Sequence, residues 1–253
     1  MRVNKLISKE KSLSKIGQLQ YELAKHYIKD NLDSADSSVD QAIRTATSNR
    51  DKELLGKAYW LKAHIKHMKM DFRMTARYYL ASARIYNDLN DPDSENQILN
   101  NISQIALDNG RLMLASKYND KRLKLLHDIT SVEHRADIYF DRGIIARHRK
   151  EPELLESYEY VKKALNILTN NYNSDFDVQI SDILNELGLV YLELSTYLEK
   201  PSYIDSAKVM FERSLEFDDR EVKKAKILHN IGFHYVYKKD YEKALVSFYR
   251  AFG

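Results

Sequence analysis

The chain has 253 residues, with 40 basic and 37 acidic side chains for a net charge of +3, no cysteine, 7 glycines and 3 prolines. Without cysteine there are no disulfides, thiolate zinc sites or thiol catalysis, and the charges show no clustered basic excess of the kind that a nucleic-acid binder carries. No apolar run reaches the roughly 18 residues of a membrane span, and residues 1–12 lack the apolar stretch of a secretion signal, so a cytoplasmic protein is expected.

Scarce glycine and proline suit long helices joined by short turns. Twelve helices and no strands are expected, in six pairs. Leu23, Ala24 and Tyr27 open the first pair, with a poorly matched second helix near 39–46. Trp60, Ala63, His64 and His67 open the second, closed by Ala76, Leu80 and Ala83. Leu99, Ile102, Ser103 and Ala106 open the third, with Ala115 twelve residues after Ser103. Tyr139, Gly143 and Ala146 open the fourth, closed by Ser157, Val161 and Ala164. Leu184, Leu187, Gly188 and Tyr191 open the fifth, closed by Ala207, Phe211 and Ser214, with seven extra residues around 198–203. Leu228, Ile231, Gly232 and Tyr235 open the sixth, closed by Ala244, Phe248 and Ala251.

Start signals accompany several turns: Asp71 before Phe72, Asp240 before Tyr241, and a capping box over 130–133. Pro92, Pro152 and Pro201 fall where helices begin. Many of the 18 tyrosines sit on packing faces, where the ring fills a gap and the hydroxyl reaches a polar edge.

The small residues recur at Ala24, His64, Ser103, Gly143, Gly188 and Gly232, at intervals of 40, 39, 40, 45 and 44 residues. This pattern resembles the tetratricopeptide repeat, a helix-turn-helix unit of about 34 residues that stacks into solenoids. The resemblance covers roughly residues 13–252, with six copies in phase, and the longer period resembles repeats of bacterial regulators. It implies an all-α, right-handed solenoid over 13–253, after an N-terminal extension at 1–12.

No catalytic constellation emerges, and neither enzyme activity nor a cofactor or metal is expected. His64, His67 and Asp71 share a helix face, but His64 in a small-residue slot reads as a packed histidine rather than a metal ligand. His229 and His234 point to different faces. The basic run 147–150 reads as a solvated helix end, and the acidic run 91–95 as a turn with a cap.

The resemblance places the binding groove on the first helix of each pair. One face there carries Gln97, Asn100, Gln104 and Leu107, then Asp137, Phe140, Ile144 and Arg147. Asp182, Asn185, Leu189 and Leu192 follow, and then Lys226, His229, Phe233 and Val236. Each set runs i, i+3, i+7, i+10. Phe140 and Phe233 are the expected apolar anchors. Asp137 and Asp182 against Lys226 suggest a ligand basic at one end and acidic at the other. The family's clamp for a C-terminal carboxylate finds Asn101, Asn230 and Lys226 here, but Asp137, Asp141 and Asp182 stand where its basic residues belong.

The expected function is a scaffold that binds a protein or peptide segment. The alternative is the sensor arm of a bacterial signalling or transcription-regulatory protein whose output domain lies beyond Gly253. The last helix is expected to expose Leu245, Phe248, Tyr249 and Phe252. The natural chain is therefore expected to continue, or this face to be covered by a partner or a second copy.

Overall fold

Helices here end by a repeated device that needs little glycine. In the computed structural model, which describes Ile7 and residues 10–150, 152–218 and 220–252, Arg50, Met70 and Asn90 each take a left-handed conformation, φ 56°, 60° and 53°. The next residue is an aspartate each time. Its N–H returns to the helix just ended: Asp51 to Ala46 O at 2.9 Å, Asp71 to Lys66 O at 2.9 Å, Asp91 to Tyr86 O at 3.0 Å. Its carboxylate then caps the next helix by accepting from Leu54, Met74 and Ser94 N–H groups at 3.0, 3.1 and 3.0 Å. Lys239 and Asp240 repeat the device. A non-glycine residue in this region costs about 1–2 kcal/mol, which the return bond and the cap offset. Gly110, φ 66°, holds the same place before Arg111.

Two compact units result, Met1–Ile129 and Thr130–Gly253. The first contains α1 Leu13–Tyr27, α2 Leu32–Ser48, α3 Lys52–Met68, α4 Phe72–Asp88, α5 Pro92–Asp108 and α6 Leu112–Leu125. The second contains α7 Val132–Arg147, α8 Leu154–Asn170, a 3-10 turn at Ser174–Phe176, α9 Asp177–Tyr197, α10 Ser202–Phe217, α11 Glu221–Tyr237 and α12 Tyr241–Phe252. Among the described residues there are twelve α-helices and no strand. They pack as antiparallel pairs α1–α2, α3–α4 and α5–α6 in unit 1, and α7–α8, α9–α10 and α11–α12 in unit 2. The expected extension over 1–12 lies mostly outside the described residues.

Each first helix meets its partner through small residues. At Gly143, Gly188 and Gly232 an added Cβ would run into Val161, Phe211 and Phe248 respectively. Ser103 donates to Ala115 O at 3.3 Å in the same slot. A second small or polar residue lies seven positions earlier, two turns along the same face: Gly17, Gly56, Asn96, Ala136 and Ser181, all buried. Ser82 donates to Gly56 O at 2.7 Å and Ser214 to Ser181 O at 2.8 Å.

The second pair corrects the expected phase by one residue. The slot belongs to Ala63, fully buried, and the buried face of α4 is Thr75, Tyr79, Ser82, Ala83 and Tyr86. His64, Ala76 and Leu80 are only half-buried. Smaller corrections concern helix starts. Ser131, not Thr130, caps α7 by accepting from His134 N–H at 3.2 Å. α8 begins at Leu154 rather than at Pro152. In the fifth pair α9 runs on to Tyr197, residues 198–201 form the turn, and α10 begins at Ser202.

Candidate functional site

The first helices of unit 1 form a hollow of about 210 Å³. Tyr21 of α1 and Trp60 of α3 stand three residues before the slots Ala24 and Ala63. Lys57 of α3 and Gln97 of α5 stand six before Ala63 and Ser103, and together these four side chains line it with Tyr86, Ser94 and Ile98. Repeat geometry thus brings equivalent positions of three helices to one depression. His64 lies parallel to Trp60, rings 5.9 Å apart and 3° from coplanar. Burial, then the nearby His67 charge, holds the His64 imidazole below its ordinary pKa. Lys57 pairs with Glu53 at 2.5 Å. Gln97 is exposed, Asn100 and Gln104 are half-buried, and Asn100 Oδ1 is buried with no partner among the described residues. Of this hollow only Gln97 was expected from sequence. Lys57 and Trp60 follow once the slot is moved from His64 to Ala63, and Tyr21 holds the matching place before Ala24, whose pair was too weakly patterned for its face to be read.

In unit 2 the expected stripe lies along the joint between successive first helices. Gln179 of α9 donates to Asp137 of α7 at 2.9 Å. Arg147 pairs with Glu186 at 2.5 Å and with Glu193 at 2.9 Å. Asp182 pairs with Lys223 of α11. Asn230 donates to Asn185 at 2.7 Å. Phe140 packs against the cluster around Ile183 and Leu184, and Leu189 against the one around Ile227 and Leu228. Ile144, Asp137, Asp182, Arg147 and Leu189 keep a half-exposed edge, while Asn185 and Leu192 are buried. Three expectations change. Arg147 is a bridge between α7 and α9 rather than a solvated helix end. Asn230 is committed to Asn185 rather than poised for a carboxylate. Asp182 carries its own lysine, which removes most of the expected charge gradient toward Lys226, an exposed residue.

At α11 the stripe is open. His229 meets Phe233 edge-on at 5.0 Å and Phe248 at 5.2 Å, with Phe252 at 6.4 Å. Phe233 is 42% exposed and Phe252 85%. Leu245 and Tyr249 are exposed as expected, but Phe248 is half-buried because its ring fills the Gly232 slot.

The groups weighed for chemistry have structural tasks. His67 packs edge-on to Phe72 and Asp71 caps α4. His234 is buried, its Nδ1 2.9 Å from Ile204 O, and burial lowers its pKa. No helix among the described residues is long and apolar enough to cross a membrane.

Antiparallel pairs locked through periodic small residues, with first helices presenting a common face, define a tetratricopeptide-repeat-like helical-repeat fold. No protein-family model and no curated protein matches the sequence. Solved structures do match in fold. BtubC (BKLC) from P. vanneervenii is similar at 22% identity over 87% of both chains, with a TM-score of 0.69. A STAND signal transduction ATPase with a tetratricopeptide repeat sensor, from Pyrococcus horikoshii, is similar at 17% identity and TM-score 0.74. The match covers 97% of this chain and 38% of that one. A Rap protein complexed with Competence and Sporulation Factor is similar at 14% identity and TM-score 0.60, over 99% of this chain and 77% of that one.

Proposed function

We propose that the chain is a protein- or peptide-binding scaffold whose ligand lies on the first-helix face and seats a side chain in the Trp60 hollow. The observation that carries this reading is the hollow itself. Repeat-equivalent positions on α1, α3 and α5 converge there as two aromatic rings, an ammonium and an amide. Tryptophan and tyrosine are among the side chains most enriched in binding hot spots. The complexed Rap structure supports it, as the same fold carrying a bound factor.

In unit 2, Phe140, Ile144 and Leu189 offer apolar edges, and His229 with Phe233 a more open aromatic one. The polar members of the stripe serve to hold the helices in register. A second reading is a sensor arm in a larger regulator. It rests on the similarity to the STAND protein, of which the match spans 38%.

Trp60 is the sole tryptophan, so its emission reports occupancy directly. An array of short synthetic peptides is screened first, and hits are titrated while Trp60 emission is followed. Binding is expected to shift the emission and to weaken at least tenfold in Lys57→Ala and Tyr21→Ala. Hits that bind without moving the emission, or that ignore both substitutions, would place the ligand elsewhere.

A further inference from the structure

Unit 1 has a second recess, on the opposite helices of its pairs. Between α4 and α6 runs a channel of about 630 Å³ whose floor is apolar. Ala83, Leu99 and Tyr118 there are 4%, 2% and 7% exposed. Its rim is cationic. Lys117, Lys121 and Lys124 follow one another at i, i+4, i+7 on one face of α6, and Arg84 stands across the channel on α4. The rim acids are Asp88 and Glu95, and Glu95 already accepts from Asn87 at 3.0 Å. Four cations therefore face two carboxylates.

These cations differ from others in the same unit. Lys62, Lys66 and Lys69 each meet an aspartate at 2.6–2.7 Å. Arg84, Lys117 and Lys124 make no ion pair or hydrogen bond among the described residues, and the Lys121 ammonium lies 5.5 Å over the Tyr118 ring. An apolar trough edged by unpaired positive charge is complementary to a helix with an apolar stripe flanked by Asp and Glu. The three lysines span two helical turns, roughly 10 Å at about 1.5 Å per residue.

We propose that the α4–α6 channel binds an acidic amphipathic helix of another protein. A nucleic acid would place phosphates on the rim but leave the apolar floor uncovered. A flat lipid surface would not reach that floor.

The probe is a labelled synthetic helix with Leu at i, i+3, i+4 and i+7 and Glu on both flanks, read by fluorescence anisotropy. Its counterpart carries Lys in place of Glu. The Glu helix is expected to bind at least tenfold more tightly than the Lys helix, to weaken as salt rises, and to lose at least tenfold in affinity in Lys117→Glu/Lys121→Glu/Lys124→Glu. If that variant loses its helical circular dichroism, the single Lys121→Ala is used, with at least a threefold loss expected. Binding of the Glu helix is expected to leave the Trp60 emission unmoved, which separates it from the first-helix hollow.

Equal binding of both helices would overturn the proposal, as would an unaffected folded lysine variant. A shift of the Trp60 emission on binding would do the same by moving the ligand to the first-helix face. Displacement of the helix by a single-stranded oligonucleotide or by phosphatidylserine vesicles, at equal charge concentration, would show a general anion site and overturn it too.

Discussion

Asn230 Nδ2 donates to Asn185 Oδ1 at 2.7 Å across the joint between α11 and α9, with both side chains more than nine-tenths buried. The same joint carries the apolar cluster of Leu192, Ile227, Leu228 and Ile231. A polar bridge there costs desolvation on both sides and is favourable only while both partners are present.

Asn230→Leu leaves the Asn185 amide unsatisfied in an apolar seam. A loss of about 1–3 kcal/mol is expected. Adding Asn185→Leu should recover part of that loss, because the orphaned group is gone and the shape is nearly kept. Urea denaturation of the wild type, both single variants and the double variant measures the coupling. Strictly additive losses would show that the two amides do not depend on each other.

Gly188 and Gly232 occupy the same slot with different freedom. At Gly188 an added methyl meets the ring of Phe211, which is fully buried. At Gly232 it meets the ring of Phe248, which is only half-buried and so less confined than Phe211. Alanine gains about 1 kcal/mol over glycine in helix propensity, while overpacking costs typically about 1–3 kcal/mol. Gly188→Ala should therefore lower the melting temperature, and Gly232→Ala should leave it within a degree or two. An equal drop at both would mean that Phe248 is as confined as Phe211.

The contrast between glycine and alanine slots also explains what the sequence discloses. Gly143, Gly188 and Gly232 mark the phase because a helix interior tolerates glycine poorly unless a neighbour needs the space. In the second pair the slot is an alanine, and alanine is common on any helix face. Ala63 beside His64 and Thr75 beside Ala76 then allow two phases, and only the buried Tyr79 and Ser82 decide between them. The one-residue slip hid Lys57 and Trp60 as site residues. The stripe in unit 2 was visible as a face of each helix. Its cross-links were not, since Asp182 meets Lys223, and Arg147 meets Glu186, about 40 residues away in sequence, and nothing local signals either contact.

His64 and Trp60 supply a direct check of the corrected phase. An imidazole stacked on the indole changes its emission when it becomes charged. Burial and the His67 charge hold the His64 pKa down. The Trp60 emission should therefore titrate with a midpoint below the ordinary histidine value of 6.5. The transition should vanish in His64→Gln while the fold persists. By contrast, Ala63→Leu should lower the melting temperature, since Ala63 is fully buried. A stable Ala63→Leu with an unstable His64→Gln would restore the other phase.

Lys62, which is 3% exposed, pairs with Asp36 at 2.6 Å and Asp40 at 2.8 Å, while Lys66 reaches Asp36 at 2.7 Å, so one carboxylate of α2 bridges two lysines of α3. Burial alone would raise the Asp36 pKa. The hydrogen bonds and charges of Lys62 and Lys66 overcome it and bring the carboxyl down from 3.8 to about 2. A folded-state pKa below the unfolded one means that the charged form stabilises the fold. That stabilisation is fully present above 3.8 and is lost as pH falls toward about 2. Asp36→Asn should lower the urea midpoint near neutral pH, because Lys62 keeps only Asp40 as a counter-charge. The gap between variant and wild type should narrow as pH falls through this window and close below it. A gap that stays constant with pH would mean that Asp36 acts through packing rather than charge.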